Sequence, residues 1–300
     1  MLTGVHFLLT YSCNFECDHC FLHCGPHAPG TFTLDQMRRV FDEIGRIDSV
    51  NEVYFEGGEA FQYYPLMLEG VRMARERNLR IGIVTNAYWA TAEPDAELWL
   101  RPLLELGIDD LSLSDDVFHQ GGDGINTAQV AKRAAERMGF PTATICITEP
   151  VVTAAPESGS GKGKPVVGGD VIFRGRAAEK LVEGLPRRPR REFDECPHED
   201  LKQLSRVHVD SFGHVHLCQG LSLGNMWRKP LSELVREYSY ADHPICGPLV
   251  EGGPARLAEV YGCAVDEGYV DACHLCYETR KSLLDRFPDY LCPRQVYGLE

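Results

Sequence analysis

A short β-rich run followed by a helical pattern recurs between residues 5 and 148, and this repetition restricts the fold more than any other feature of the chain. The runs VHFLLT (5–10), NEVYFEG (51–57), RIGIVTN (80–86), IDDLSLS (108–114) and TATICIT (142–148) read as strands. Between the first two, Met37, Val40, Phe41, Ile44 and Ile47 fall at helical spacing, with Thr33 and Gln36 placed as a capping box. Helices are also expected over 65–77, over 95–106 with Pro102 as an irregularity, and over 127–138, closed by Gly139. Parallel strands need a crossover, so this alternation implies a parallel sheet with helices outside it: an open doubly wound sheet, or a complete or partial β/α barrel. Both architectures place ligands at the carboxyl ends of the strands. The distinctive residues fall there: cysteines after the first strand, Gly57-Gly58-Glu59 after the second, Thr85-Asn86 ending the third, Ser114-Asp115 ending the fourth.

The pattern breaks at 150–170, where AAPESGSGKGKPVVGG reads as a flexible loop, and residues 171–184 are expected to supply a sixth strand and helix. After PRRPRR (186–191), read as a solvated linker, the character changes. Short strands are expected near 207–210 and 215–218 and a helix near 230–238, which makes residues 192–300 a smaller C-terminal module beside a core of 1–185.

The formal net charge of −14 argues against a nucleic-acid partner. No apolar run approaches the roughly twenty residues a membrane helix needs, and the N-terminus lacks the features of a signal peptide, so a cytoplasmic protein with no membrane partner is expected. In such a chain, twelve cysteines point to metal or redox chemistry before disulfides.

Cys13, Cys17 and Cys20 form a tight triplet, with Cys24 just behind. Thiolates are soft ligands for zinc, copper(I) or iron–sulfur clusters, and structural zinc prefers four ligands in separated pairs. Three thiolates on a cubane leave one iron open, whereas Cys24 as a fourth ligand would close the site. A C-x3-C-x2-C spacing should arise by chance roughly 0.02 times in a chain of this cysteine content.

This triplet, followed about forty residues on by Gly57-Gly58-Glu59, resembles the radical S-adenosylmethionine (AdoMet, SAM) enzymes over roughly residues 1–185. The resemblance implies an α/β fold, a partial (β/α)6 TIM-like barrel with a small C-terminal iron–sulfur module. It also implies a [4Fe–4S] cluster on Cys13, Cys17 and Cys20, with AdoMet chelating the open iron. Reductive cleavage would then give a 5′-deoxyadenosyl radical that abstracts hydrogen from a peptide, protein or small metabolite, with electrons from a donor of flavodoxin or ferredoxin type. In that pattern Gly57 and Gly58 approach the methionine amino group with support from Glu59. Thr85, Asn86, Ser112, Ser114 and Asp115 line the ribose and methionine portions, while Ile147, with Ile145, and His19 lie near the adenine. His119, beyond the fourth strand, is placed where substrate or AdoMet could reach it, a hydrogen-bonded loop histidine being the alternative; Arg174 and Arg176 could pair with the AdoMet carboxylate, a surface salt bridge being the alternative.

Seven cysteines follow residue 192. The stretch 209–225, with Gly213 five residues before Cys218, is similar to the SPASM or twitch extension of these enzymes, which holds auxiliary clusters and often accompanies peptide maturases. By that resemblance Cys196, Cys218, Cys273 and Cys276 ligate one auxiliary [4Fe–4S] cluster, with Cys246, Cys263 and Cys292 as competitors. The Cys273-x-x-Cys276 pair also fits zinc. A non-catalytic iron–sulfur or zinc-binding protein is the reading from a different class.

Overall fold

The computed structural model describes residues 1–119, 124–154 and 165–299. Strands β1 (Gly4–Thr10), β2 (Glu52–Gly57), β3 (Arg80–Thr85), β4 (Asp110–Ser114) and β5 (Thr142–Ile145) pair in parallel in that order. The crossovers are α1 (Leu34–Ile44), α2 (Tyr64–Glu76), α3 (Glu93–Leu106) and α4 (Thr127–Arg137). Helix α1 starts where the sequence indicates: Thr33 Oγ1 accepts from Gln36 N at 3.2 Å, and Gln36 Oε1 accepts from Thr33 N at 2.8 Å. Pro102 is accommodated inside α3, which ends on Gly107 in the left-handed region.

Side-chain alternation sorts the two faces of the sheet. Phe7 packs on Phe41 and Phe55, each at 5.1 Å between ring centroids, which buries one face of β1 under α1. Truncating any of these three rings would cost about 3–5 kcal/mol. His6 and Leu8 consequently point to the opposite face, where His6 stacks on Tyr54 at 4.7 Å.

The sixth parallel strand is not where the sequence suggests. Residues 171–174 form no strand; Arg174 N bonds back to Ile172 O at 2.8 Å, and Gly175 turns the chain with φ +58° into the short helix α5 (Arg176–Lys180). A Cβ on Gly175 would stand 2.5 Å from Phe21 Cα, so this segment lies flat on the cysteine loop instead of pairing in the sheet. Before it, β6 (Val151–Ala154) and β7 (Pro165–Gly168) make a separate antiparallel pair, and residues 155–164 of the expected loop lie outside the described residues.

The sixth parallel strand is instead β9 (Arg206–Asp210), on the far side of β1, after the two-residue β8 (Arg188–Pro189). Antiparallel β10 (His214–Cys218) and β11 (Leu221–Asn225) complete an eight-stranded sheet in the order β11-β10-β9-β1-β2-β3-β4-β5. The result is a partial, open β/α barrel whose C-terminal strands continue the same sheet. Three helices follow: α6 (Leu231–Glu237), α7 (Cys246–Tyr261) and α8 (Ala272–Ser282), with β12 (Gly268–Tyr269) pairing back to β8. Among the described residues no helix is long and apolar enough to cross a membrane.

Candidate active site

Beyond β1 the chain folds back on itself through Cys13 N→Gly25 O (3.0 Å), Cys20 N→Cys17 O (3.0 Å) and Thr10 Oγ1···Thr31 Oγ1 (2.8 Å). Arg176 clasps this loop from outside. Its backbone N donates to Cys20 O at 2.9 Å, its Nη1 to Cys17 O at 2.7 Å and its Nη2 to Cys24 O. A planar guanidinium with several fixed donors suits this convergence of carbonyls. Its donors are thereby committed to the cysteine loop, not held free for a carboxylate.

Cys13, Cys17, Cys20 and Cys24 line one cavity of about 270 Å³. Burial pushes the Cys13 thiol up to about 11 and the Cys17 thiol up to about 12. The Cys24 thiol donating to its sulfur, helped by the amides of Leu22 and Cys24, brings Cys20 down to about 6, and Cys24 is raised in exchange. Phe15 N at 3.4 Å and Asn86 Nδ2 at 3.7 Å point at Cys13 Sγ. Soft donors converging on one hollow, with N–H groups aimed at a sulfur, fit an iron–sulfur cluster; binding one would displace the thiol protons.

Gly57 and Gly58 line the same cavity, and their first role is to let β2 close on β1. Gly58 N donates to Thr10 O at 2.6 Å and Glu59 N to Ser12 O at 2.9 Å. A Cβ on Gly58 would fall 2.0 Å from Ser12 O, and Gly57 has φ +124°. Glu59 is fully buried behind the wall, outside the cavity lining. Its Oε1 accepts from Thr85 Oγ1 (2.8 Å) and Phe61 N (3.0 Å), its Oε2 from Asn86 N (2.8 Å), while burial pushes its carboxyl up to about 7. Glu59 therefore ties the end of β2 to the end of β3.

Thr85, Asn86, Ser114, Ile147 and His19 all face the cavity, with Ile145 beside them. Ser112 and Asp115 do not line it: Ser112 Oγ donates to Asp110 at 2.8 Å, and Asp115 accepts from Asn126 Nδ2 at 2.9 Å and from Gln129. Asp116, which the strand-end pattern does not single out, is buried in the wall. It accepts from His119 Nδ1 at 2.8 Å and Ile147 N at 3.3 Å, and so ties β4 to β5 and fixes the His119 ring. The D-x-x-H spacing of Asp116 and His119 was the available signal. His19 lies 4.5 Å from Phe118 and 5.2 Å from His119 between ring centroids; burial lowers it to about 4, and its Nδ1 has no partner among the described residues.

Residues 7–151 match the family model of the radical SAM superfamily. This stretch, just under half of the chain, is similar to the radical SAM superfamily. The chain's sequence is 22% identical over 107 residues to the "Putative peptide biosynthesis protein YydG" of Bacillus subtilis (strain 168), covering 36% of this chain and 34% of that protein. It is 28% identical over 109 residues to the "Tungsten-containing aldehyde ferredoxin oxidoreductase cofactor-modifying protein" of Pyrococcus furiosus, covering 36% and 29%. The aligned stretch thus spans about a third of the length of these curated relatives. In fold, the chain is similar to BtrN, solved in complex with AdoMet and 2-DOIA, with a TM-score of 0.53 at 16% identity over 79% of this chain and 83% of that one.

Outside the matched residues 7–151, Cys196, Cys218, Cys273 and Cys276 line a second, small cavity together with Arg174 and Arg280. Cys273 and Cys276 project from one face of α8, one turn apart, as their spacing requires. Cys196 is brought in by the bend of α7: a Cβ on Gly253 would stand 2.3 Å from Glu195 N, and Ala255 N donates to Phe193 O at 3.1 Å. The three competing cysteines lie outside this cavity. Cys246 is buried at the start of α7, where burial pushes its thiol up to about 12, and Cys263 lines a separate cleft. Cys292 Sγ reaches Asp289 O at 3.6 Å. Arg174 Nη1 meets Cys218 Sγ at 3.0 Å, so its guanidinium serves the second cavity, though the residue also lines the first.

Proposed function

We propose that this chain is a radical AdoMet enzyme that abstracts hydrogen from a peptide or protein substrate. The observation that carries the reading is the meeting of Cys13, Cys17 and Cys20 with Gly57, Gly58, Thr85 and Asn86 around one cavity at the carboxyl ends of β1–β4. A [4Fe–4S] cluster with AdoMet on its open iron would supply the electron for reductive cleavage and the 5′-deoxyadenosyl radical that takes hydrogen from the substrate.

The chain's own residues do the rest. Arg176 holds the ligand loop closed, and Asn86 donates toward the Cys13 sulfur, which stabilises thiolate character. Ile145, Ile147 and His19 give one side of the cavity the apolar and aromatic character an adenine ring suits, and the bond from Asp116 sets the His119 ring beside it. The buried part of the lining, with Cys13, Cys24, Thr85 and Asn86, would keep water from a reactive intermediate. In the C-terminal part, from about residue 192, Cys196, Cys218, Cys273 and Cys276 would hold one auxiliary [4Fe–4S] cluster, as in a SPASM or twitch module. A peptide substrate is supported by the peptide-biosynthesis description of one relative. A flavodoxin- or ferredoxin-type electron donor and a cytoplasmic setting complete the reading.

The test is anaerobic: reconstituted, reduced protein should form 5′-deoxyadenosine from AdoMet, and Cys17→Ala should abolish it. Retained turnover in that variant would sink the proposal. A second reading rests on Cys24, whose thiol bonds to the Cys20 sulfur within the same cavity. If Cys24 closes the cluster as a fourth ligand, the chain carries electrons only, and the cluster's EPR signal is indifferent to added AdoMet.

A further inference from the structure

Two arginines are buried against the second cysteine cavity with little to neutralise them. Arg280 is 2% exposed and Arg174 8%. Arg280 Nη1 donates to Gln219 O at 3.0 Å and its guanidinium lies 5.7 Å from the Tyr297 ring centroid, but its Nε has no partner and no carboxylate lies within ion-pair distance among the described residues. Arg174 has Cys218 Sγ at 3.0 Å on Nη1, the Phe21 ring at 5.0 Å, and an Nε without a partner. Its nearest carboxylate, Glu199, stands at 4.0 Å and is shared with Arg206 at 3.6 Å. Arginine keeps its proton in a protein, so these two positive charges are permanent. Buried charge left without a counter-ion is strongly unfavourable, which means the cavity must hold negative charge in its working state.

Resting on the auxiliary-cluster reading, we propose that Arg174 and Arg280 are the counter-ions of a four-thiolate auxiliary cluster and hold its reduction potential up. Four thiolates around an oxidised [4Fe–4S] core carry a net charge of about −2, matched by the two guanidiniums. Ligation by all four cysteines closes that cluster, so it has no open iron for substrate and its role is to pass electrons. The position of Arg174 fits this role. Its guanidinium lies between Cys218 of one cysteine set and Phe21, the residue after Cys20 of the other, and it lines both cavities.

The experiment uses the full chain with Cys13, Cys17 and Cys20 all changed to Ala, reconstituted with iron and sulfide, so that only the auxiliary cluster is read by EPR-monitored potentiometry. On that background Arg280→Gln and Arg174→Gln should each disfavour the reduced cluster at least tenfold, a fall of about 59 mV for a one-electron couple. Arg280→Lys, which keeps the charge, should stay near the parent. Loss of iron in the Gln variants with retention in Arg280→Lys also supports the proposal, because charge is then what holds the dianion. Gln variants that load iron and titrate at the parent's potential overturn it, as does a Lys variant that behaves like Gln. A parent that binds no iron on this background removes the auxiliary cluster itself, and wild-type chain would then hold roughly four irons where the two-cluster reading requires about eight.

Discussion

Gly58→Ala isolates the contact that joins the two halves of the proposed cofactor site. The new methyl carbon would sit 2.0 Å from Ser12 O, 2.6 Å from Ser12 C and 2.9 Å from Tyr11 C, all backbone atoms that cannot rotate away. Ordinary contact begins near 3.4 Å, so Ser12 and the β2 end must separate by roughly 1.4 Å, more than packed backbone yields without strain. That separation breaks Gly58 N→Thr10 O and Glu59 N→Ser12 O, at 2.6 and 2.9 Å. Overpacking of about 1–3 kcal/mol plus two hydrogen bonds of about 1 kcal/mol each gives a destabilisation of about 3–5 kcal/mol. Because Ser12 precedes Cys13, the first ligand moves with it, and a displacement of about 1 Å at a reacting centre costs on the order of a hundredfold in rate. Urea unfolding of the apo chain measures the first effect and 5′-deoxyadenosine formation the second. Gly45→Ala, whose methyl would meet only Asp42 O and Phe41 O at 3.6 Å, is the matched control and should leave both unchanged. A Gly58→Ala protein within 1 kcal/mol of wild type and of equal turnover would refute the close-approach argument.

Two further outcomes are expected. Burial raises the Glu59 carboxyl from its ordinary range to about 7, so the folded chain binds a proton there that the unfolded chain has released; stability should therefore fall as pH rises from about 4.5 to about 7, by up to roughly 3 kcal/mol. Glu59→Gln should remove that slope from apo-protein unfolding curves, and an unchanged slope would show that Glu59 ionises normally. Cys276→Ser should cut bound iron to about half while AdoMet cleavage without substrate persists, because the second cavity is separate from the first; loss of both together would mean the two cysteine sets do not fold independently.

By itself, the sequence determined the repeating unit and the position of the chemistry within it. The period of apolar residues in α1, the Thr33–Gln36 cap and the cysteines, glycines and Thr85-Asn86 at strand ends were all readable, because each depends on neighbours within a few residues. Tertiary structure decided what depends on distant partners. Residues 171–174 have strand-like composition but lie on the cysteine loop, since Gly175 and Arg176 find better partners in Cys17, Cys20 and Cys24 than any sheet edge offers. The parallel place beside β1 goes to β9, nearly two hundred residues later in the chain, which local periodicity has no means of announcing. Glu59 bonds behind the wall and Asp116 fixes the wall itself, and two guanidiniums meet four cysteines gathered from three separate stretches of chain. Short-range pattern records which side chains are available; long-range packing sets which of them meet, because burial and hydrogen-bond geometry exist only once the sheet has closed around them.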